Sequence, residues 1–596
     1  MSHQKLRTMN VVLFLLFFLV ESLFVNAAST PKLKFDHNYT FREVVTYLQE
    51  VAKAKPDITK IHKIGKSYLG KDLLVLEITH HGKGKALEKP GFWIDGDLHS
   101  SEVFGSSICL KTIDTLINQY GKDPFVTNLV DTRTIYIMPK LNPDGSDHYL
   151  TKPDSMRSSV RPHDDDSDGL LDEDPPDDLN KDGYITLMRV RDEMGEWKIS
   201  PDDSRLMVHR KEDEKGEWKI FTEGTDNDYD GNFNEDGVGG LDINRNWPAN
   251  WQQEYMQRGA GPYALSEPET RAVAEFLLNH RNVTGIVNYH MSGNFVFRPP
   301  CKPDIDPVTG EILPFPQEDE EIYQVFGRKY SEILNNQEVV VSYYARNAPP
   351  PRYNALFGMF YDWGLTHYGA ISWVPEVGSL VPYCDYDGDG TVTELEHLQW
   401  NDEEMNGMIF VDWEPYNHPQ LGRVEIGGFI RKIYDSTYKS YINLMCYPGQ
   451  THDNFLAKHT KWNLYLVSMS PLVRITEVRV NPEGSGLFKI SASIQNQGFL
   501  PTYITKYALS NQTAKTVQAE ISLIGAALVL GNKNTDLGHL SGNFTTGRAR
   551  FAQRNQTNSC KTVEWMVKAT GKVTPTALIK AISEKGGTDT KKLTLK

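Results

Sequence analysis

The sequence predicts an α/β sheet with helices on both faces, followed by an all-β sandwich. Three observations lead there. From Phe41 to about residue 300, short apolar runs alternate with amphipathic helical stretches. From about residue 470 the pattern changes to period-two alternation punctuated by Gly, Pro and Asn. Finally, His99, Asn142 and His290 each stand just past a predicted strand, where sites form in open α/β sheets.

In chain order, Lys5 and Arg7 precede the apolar run VVLFLLFFLV, and ESLFVNAAS follows with small residues at Ala27 and Ala28. This is the layout of a secretory signal peptide over residues 1–28. The competing reading is a membrane anchor, but the run is short for a span and Glu21 ends it. No other segment is apolar enough to cross a bilayer, so no stable membrane insertion is expected. A secreted, extracellular protein follows, with a lysosome-like or vacuolar lumen as the alternative. FREVVTYLQEVAKA then reads as an amphipathic helix, LLVLEIT and GFWID as strands, Val103–Tyr120 as a helix and TIYIMP as a strand. PETRAVAEFLLNH is a helix opened by Pro268 and Glu269, and GIVNYH is a further strand. RITEVRV, LFKISASIQN and TALIKAIS are the alternating strands of the sandwich. Residues 29–465 are expected to form the α/β unit and 470–596 the accessory β domain.

Five Asn-x-Ser/Thr sequons, at Asn38, Asn282, Asn511, Asn543 and Asn555, suit a secreted glycoprotein. The five cysteines (Cys109, Cys301, Cys384, Cys446, Cys560) are too few for a disulfide scaffold, and their odd number leaves at least one unpaired within the chain. The net charge of −15 is local in origin. Residues 164–182 carry ten acids and one base, while 226–237 and 385–396 carry five acids each and no base. The remainder is slightly positive. With no basic stripe interleaved with aromatics, a nucleic-acid partner is excluded from the reading.

His99 and Glu102 stand three apart in GDLHSSEVFG. Such a pair is often a solvated contact on a helical turn; it is also two ligands for one metal ion. His290, ending GIVNYH, supplies a third ligand. Glu376, in the apolar strand end ISWVPEVGS, needs a partner if buried, and is the candidate base. In LDINRNWP, Arg245 offers a planar fork for a carboxylate beside Asn244. Asp242 is placed to accept from the far nitrogen of a metal-bound histidine.

The order HSSE, NPDG at 142–145, DINRNW, YH at 289–290 and PEVG resembles the zinc carboxypeptidase family, from about Phe41 to about Ile430. The resemblance implies a mixed-sheet fold with one catalytic zinc held by His99, Glu102 and His290. It implies Glu376 as general base, and Asn244 with Arg245 on the substrate's C-terminal carboxylate. It also implies an arginine polarising the scissile carbonyl. That arginine is Arg157, fifteen residues after Asn142, with Arg161 in reserve. A substrate-binding tyrosine falls at Tyr353, five residues before Gly358, although one extra residue separates FGM from Asp362 and Trp363. The implied function is a metallocarboxypeptidase acting on peptide or protein C-termini. An amidase of the same fold, acting on cell-wall peptides or amino-acid conjugates, and a non-catalytic calcium-dependent binding protein are the alternatives. The twelve residues between signal peptide and Phe41 are too few for the folded activation segment of the digestive type. The trailing β domain resembles the layout of the constitutively active regulatory type. Arg298 either favours acidic C-terminal side chains or is a surface arginine.

DYDGDGTVTELE fits a calcium loop, with Asp385, Asp387, Asp389, Thr391 and Glu396 as ligands and Gly390 at the sharp turn. DDDSDG at 164, DLNKDG at 178 and DNDYDG at 226 share its first half and lack its twelfth-position glutamate. One calcium ion is expected, and more are open.

Overall fold

The computed structural model describes residues 30–596 apart from 292, 294, 307, 336–340, 343–354, 448–451, 544–557 and 572. The predicted signal peptide, the Asn555 sequon and Tyr353 lie outside the described residues.

The first helix, α1 (Phe41–Ala54), shows why the local sequence folds as it does. Thr40 and Glu43 form a reciprocal capping box, and Val44, Tyr47, Leu48 and Val51 recur on one buried face. It leads into β1 (Thr59–Lys66) and β2 (Asp72–Ile78), an antiparallel pair. Next come β3 (Gly91–Asp95), α2 (Phe104–Gln119), α3 (Pro124–Thr132), β4 (Thr134–Met138) and α4 (Pro143–Thr151). After an insertion come α5 (Pro268–Asn279), β9 (Val283–Asn288), β10 (His290–Met291), β11 (Phe295–Arg298), α6 (Gln317–Leu334), β12 (Val341–Ser342) and β13 (Ile371–Val377). These strands make a mixed sheet in the order β1-β2-β4-β3-β9-β13-β11-β12, with β10 paired to β13. Its centre, β4-β3-β9-β13, is parallel. Phe92 and Ile94 of β3 face a core filled by α2, α6 and a later helix, α8 (His452–Ser468), while Trp93 faces the core under α5. Burial on both faces explains why β3 and β4 read as continuous apolar runs.

Between α4 and α5, the insertion forms β5 (Leu187–Arg191), β6 (Trp197–Ile199), β7 (Met207–His209) and β8 (Trp218–Thr222). After β13 come α7 (Glu394–Glu403), β14 (Phe410–His418) and β15 (Gly422–Phe429). These two distant segments build one sheet, β14-β15-β5-β8-β6-β7. Arg189 stitches the seam: it pairs with Glu425 at 2.7 Å and lies between the rings of Trp218 and Trp413. No expectation from sequence joined these strands.

From Val473 the chain makes two antiparallel four-stranded sheets around a single core that includes Ile490, Val517, Trp565 and Ile579. In LFKISASIQN every second residue is buried. The sandwich docks on the α/β unit. Lys585 Nζ, fully buried, donates to the Val283 carbonyl at 2.7 Å, and Thr284 and Ser470 hydroxyls meet at 2.8 Å.

Two of the sequons are corrected by burial. Asn38 and Asn282 are 1% and 3% exposed, and Asn282 Nδ2 donates to the Lys89 carbonyl, so neither accepts a glycan on the folded chain. Asn511 and Asn543 are exposed. Cys109, Cys301, Cys384 and Cys560 are free thiols. Among the described residues, no helix is long and apolar enough to cross a membrane.

Candidate active site

His99 and Glu102 sit in the turn between β3 and α2, just before the helix begins rather than on its first turn. The turn is tight because Gly96 lies against Gly105. A Cβ on Gly96 would come within 2.4 Å of the Gly105 carbonyl carbon, so the sequence needs glycine there. The NPDG motif holds the turn from the side. Asn142 caps α4 through Gly145 N–H, and its Nδ2 donates to Ser100 Oγ and the Ser158 carbonyl, both at 3.0 Å. Ser100 N–H donates to the Arg157 carbonyl. NPDG thus ties the metal turn to the segment carrying Arg157.

His290 enters from β10, in register with Glu376 of β13. His99 Nδ1 lies 2.9 Å from Glu102 Oε1 and 3.0 Å from His290 Nδ1, which is itself 2.9 Å from Glu102 Oε2. All three residues are buried. The Asn288 amide donates to Asp95, which turns its oxygen to His290 Nε2 at 2.6 Å. Asn244 Nδ2 also lies 3.3 Å from Nε2, but the much shorter contact to the Asn288 oxygen assigns the proton to His290 Nε2 and leaves the Nδ1 lone pair facing Glu102 and His99. A lone pair facing a carboxylate is satisfied by a cation between them. The ligand atoms are close to the edge of roughly 3.4 Å that a tetrahedron with 2.1 Å bonds requires. The donor set, two imidazoles and a carboxylate, fits zinc. Burial works against ionising Glu102, but His99 and His290 hold its carboxyl well below the usual range; burial keeps His290 below the usual imidazole value.

Asp242 Oδ1 lies 3.0 Å from His99 Nε2, the position expected of it. Burial opposes its charge, yet His99, Arg245 and Arg157 hold it well below the carboxylate range. Arg157, half exposed, contacts Glu102 at 3.0 Å and Asp242 at 3.3 Å. Arg161 is turned away, paired with Glu267 at 3.0 Å and stacked on Tyr68. Asn244 Oδ1 accepts from Phe360 N–H, and Arg245 Nη1 donates to the Asn244 carbonyl at 3.0 Å, which orients its fork.

One cleft of about 280 Å³ gathers His99, Glu102, Arg157, Asn244, Arg245, His290 and Glu376. Its far wall is apolar: Phe295, Phe297, Leu356, Met359, Tyr361 and Val374. A larger depression of about 880 Å³ lies at the sandwich junction, but among the described residues no cluster of metal-ligating side chains is there. Arg298 is absent from the wall. It is 7% exposed, paired with Glu320 at 2.5 Å and stacked on Phe315, so neither earlier reading of it holds. Tyr361 and Asn288 were missed from sequence. Asn288 had one signal, its place two residues before His290 on the same strand face.

In the 385 loop, Asp385, Asp387 and Glu396 converge. Asp385 accepts from Gly388 and Gly390 N–H, and Asp389 from Thr391 N–H. Glu396 Oε1 accepts from Tyr386 and Asp387 N–H, its Oε2 from Thr393 N–H.

A family model described as zinc carboxypeptidase matches residues 44–379, and one described as a domain of unknown function matches 472–594. Mouse carboxypeptidase M is 37% identical over 127 residues, 21% of this chain and 28% of that protein. Human carboxypeptidase D is 35% identical over 109 residues, 18% and 8% of the two chains. The chain therefore matches under a third of either relative's length. The crystal structure of carboxypeptidase A from Helicoverpa armigera shares 17% identity, with 60% of this chain and 71% of that one covered at a TM-score of 0.40.

Proposed function

As the chain belongs to the zinc carboxypeptidase family, we propose that it is a secreted metallocarboxypeptidase releasing C-terminal residues from peptides or proteins. The observation that carries this reading is the convergence of His99, Glu102 and His290 in one cleft with Glu376 and Arg245. Zinc held by the three ligands would supply Lewis-acid chemistry, acidifying water and polarising the scissile carbonyl. Glu376 takes the proton of the attacking water and returns it to the leaving amine. Arg157, at the solvent side of the ligands, donates to the carbonyl oxygen as charge develops there. Asn244 and Arg245 bind the free α-carboxylate, and Tyr353 is assigned to the substrate from sequence alone. Asp242 keeps His99 oriented.

The apolar wall supports a preference for apolar C-terminal side chains. Burying a Leu or Phe side chain contributes about 1.5–3 kcal/mol relative to leaving it exposed, so the gain in kcat/KM over Ala should reach at most roughly 150-fold. A panel of peptides differing only at the last residue, assayed with and without a zinc chelator, tests this. Peptides ending in Leu or Phe are expected to be cleaved fastest, their C-terminal amides hardly at all, and all cleavage should stop with chelator. Faster cleavage of N-acyl amino acids or cell-wall peptides than of any panel peptide would favour the amidase reading, and no turnover the binding-protein one. Arg245→Gln should raise KM for free-acid peptides by at least roughly 30-fold, the lower end for truncating one partner of a buried charge pair, and leave the slow rate on amides unchanged. Equal losses on both substrates would remove Arg245 from the carboxylate site.

The loop from Asp385 to Glu396 is read as a calcium site on its complete ligand pattern.

A further inference from the structure

The acidic turns at 164 and 226 are built around each other. Asp164, Asp166, Asp168 and Gly169, like Asp226, Asp228, Asp230 and Gly231, occupy the places of Asp385, Asp387, Asp389 and Gly390. Both lack the glutamate at the twelfth position. In the 385 loop that glutamate has a backbone signature: one oxygen takes N–H groups of the second and third positions, the other takes the ninth. In the 164 loop Asp236 fills this place, with Oδ1 accepting from Asp165 N–H at 3.3 Å and Oδ2 from Asp172 N–H at 3.2 Å. In the 226 loop Asp174 fills it, with Oδ1 accepting from Asn227 N–H at 3.0 Å and Oδ2 from Asn234 N–H at 2.7 Å. Each loop lends its eleventh residue to the other. Asp174 and Asp236 form an antiparallel bridge and are fully buried. The 178 loop is likewise closed by a carboxylate from outside it, Glu223, which accepts from Leu179, Asn180 and Thr186 N–H.

A second, separate observation points to a ligand. All four carboxylate oxygens of Glu173 and Glu235 are closed to solvent, and among the described residues none has a hydrogen-bond partner. They converge on the aspartates of both loops: Glu173 with Asp166, Asp168 and Asp228, and Glu235 with Asp166, Asp228 and Asp230, each set within 4.8 Å. Two oxygens on opposite sides of one calcium ion are separated by roughly 4.8 Å. The two glutamates are partly buried, and carboxylate oxygens closed to solvent without a donor are costly to leave uncompensated. The aspartates they face are exposed or partly exposed, and neither set contains a base.

We propose that the paired loops at 164 and 226 form one composite calcium centre, holding at least two ions bridged by Asp166 and Asp228, with Glu173 and Glu235 as ligands and Asp174 and Asp236 exchanged between the loops. The centre closes the neck of the insertion. Arg157 lies seven residues before Asp164, and Asp242 six after Asp236. The two legs are joined by the Ser159 N–H to Leu241 carbonyl bond and by Gly239 N–H to Asp172. Calcium there fixes the segments that present Arg157, Asp242 and Arg245 to the cleft, a consequence that rests on the proposed peptidase reading.

The test compares Glu396→Gln protein, which lacks the 385 site, with the same protein carrying Asp166→Asn and Asp228→Asn. After dialysis against calcium chloride, the first should hold at least two more calcium ions per chain than the second. Adding calcium should raise the melting temperature of the first by more than that of the second, in which the 178 loop is still intact. The asparagines relieve repulsion, so in chelator the second should melt no lower than the first. Should it misfold, Glu173→Gln with Glu235→Gln is expected to give the same calcium deficit. Equal calcium content in parent and variants, or a parent melting temperature indifferent to calcium, overturns the centre. Calcium content needs no peptidase assay, so a failure of the peptidase reading leaves this result intact. If both stand, calcium removal should raise KM roughly 2–30-fold with zinc retained.

Discussion

Replacing Glu376 with glutamine is expected to lower peptide turnover by roughly 10²–10⁴-fold, the contribution of one positioned base, while zinc content stays at the wild-type level. The separation of the two readouts follows from the geometry. Glu376 lies in register with His290 across β10 and β13, yet the ligand atoms that converge are those of His99, Glu102 and His290. Glutamine keeps the shape and the strand pairing but accepts no proton. The acidic limb of the pH profile of kcat/KM should vanish with the base that produces it. Turnover within tenfold of wild type would place the base elsewhere, and loss of zinc would make Glu376 a ligand.

His290→Ala should empty the metal site. It leaves two ligands, and dialysis against a weak chelator should reduce zinc from one ion per chain to below roughly a tenth, with activity falling in parallel. Asp242→Asn should act in the same direction and more weakly, by roughly 10–100-fold in zinc affinity, since it disturbs the orientation of His99 without removing a ligand. The order of the two effects is the informative result. Were Asp242→Asn the more damaging, the carboxylate nearest His99 Nε2 would be holding the metal turn together rather than tuning a ligand. Retention of zinc by the His290→Ala protein would remove His290 from the site.

Much of the central sheet and the site was legible in the sequence because the information is local. His99, Asn142 and His290 follow apolar runs that are strands buried on both sides, and the parallel strands carry them to one edge. The β sandwich was legible for the same reason, since LFKISASIQN alternates inside and out. What stayed hidden depends on register between segments far apart. Asn288 sets the His290 tautomer only because Asp95, on the neighbouring strand, turns its amide. The acidic loops looked incomplete because the carboxylates that accept their N–H groups, Asp174, Asp236 and Glu223, come from 37 to 71 residues away. Arg298 misled because a charged residue in a sequence carries no sign of its partner, here Glu320. The sequons at Asn38 and Asn282 misled likewise, since a triplet says nothing of burial.

The seam between Arg189 and Glu425 also sets a schedule for the ribosome. Strands β5 to β8 leave the exit tunnel with their outer partner, β15, still some 200 residues from being made. At 5–20 residues per second, that is a wait of roughly 10–40 s. Through it the β5 edge has no neighbour and Met188 lacks Val424 and Ile426, the two other fully buried residues of its cluster. An unpaired edge of this kind is a template for association with other nascent chains. The two insertions are therefore one unit of biogenesis. Shortening either alone would leave the other's half-sheet stranded, whereas removing both together would not.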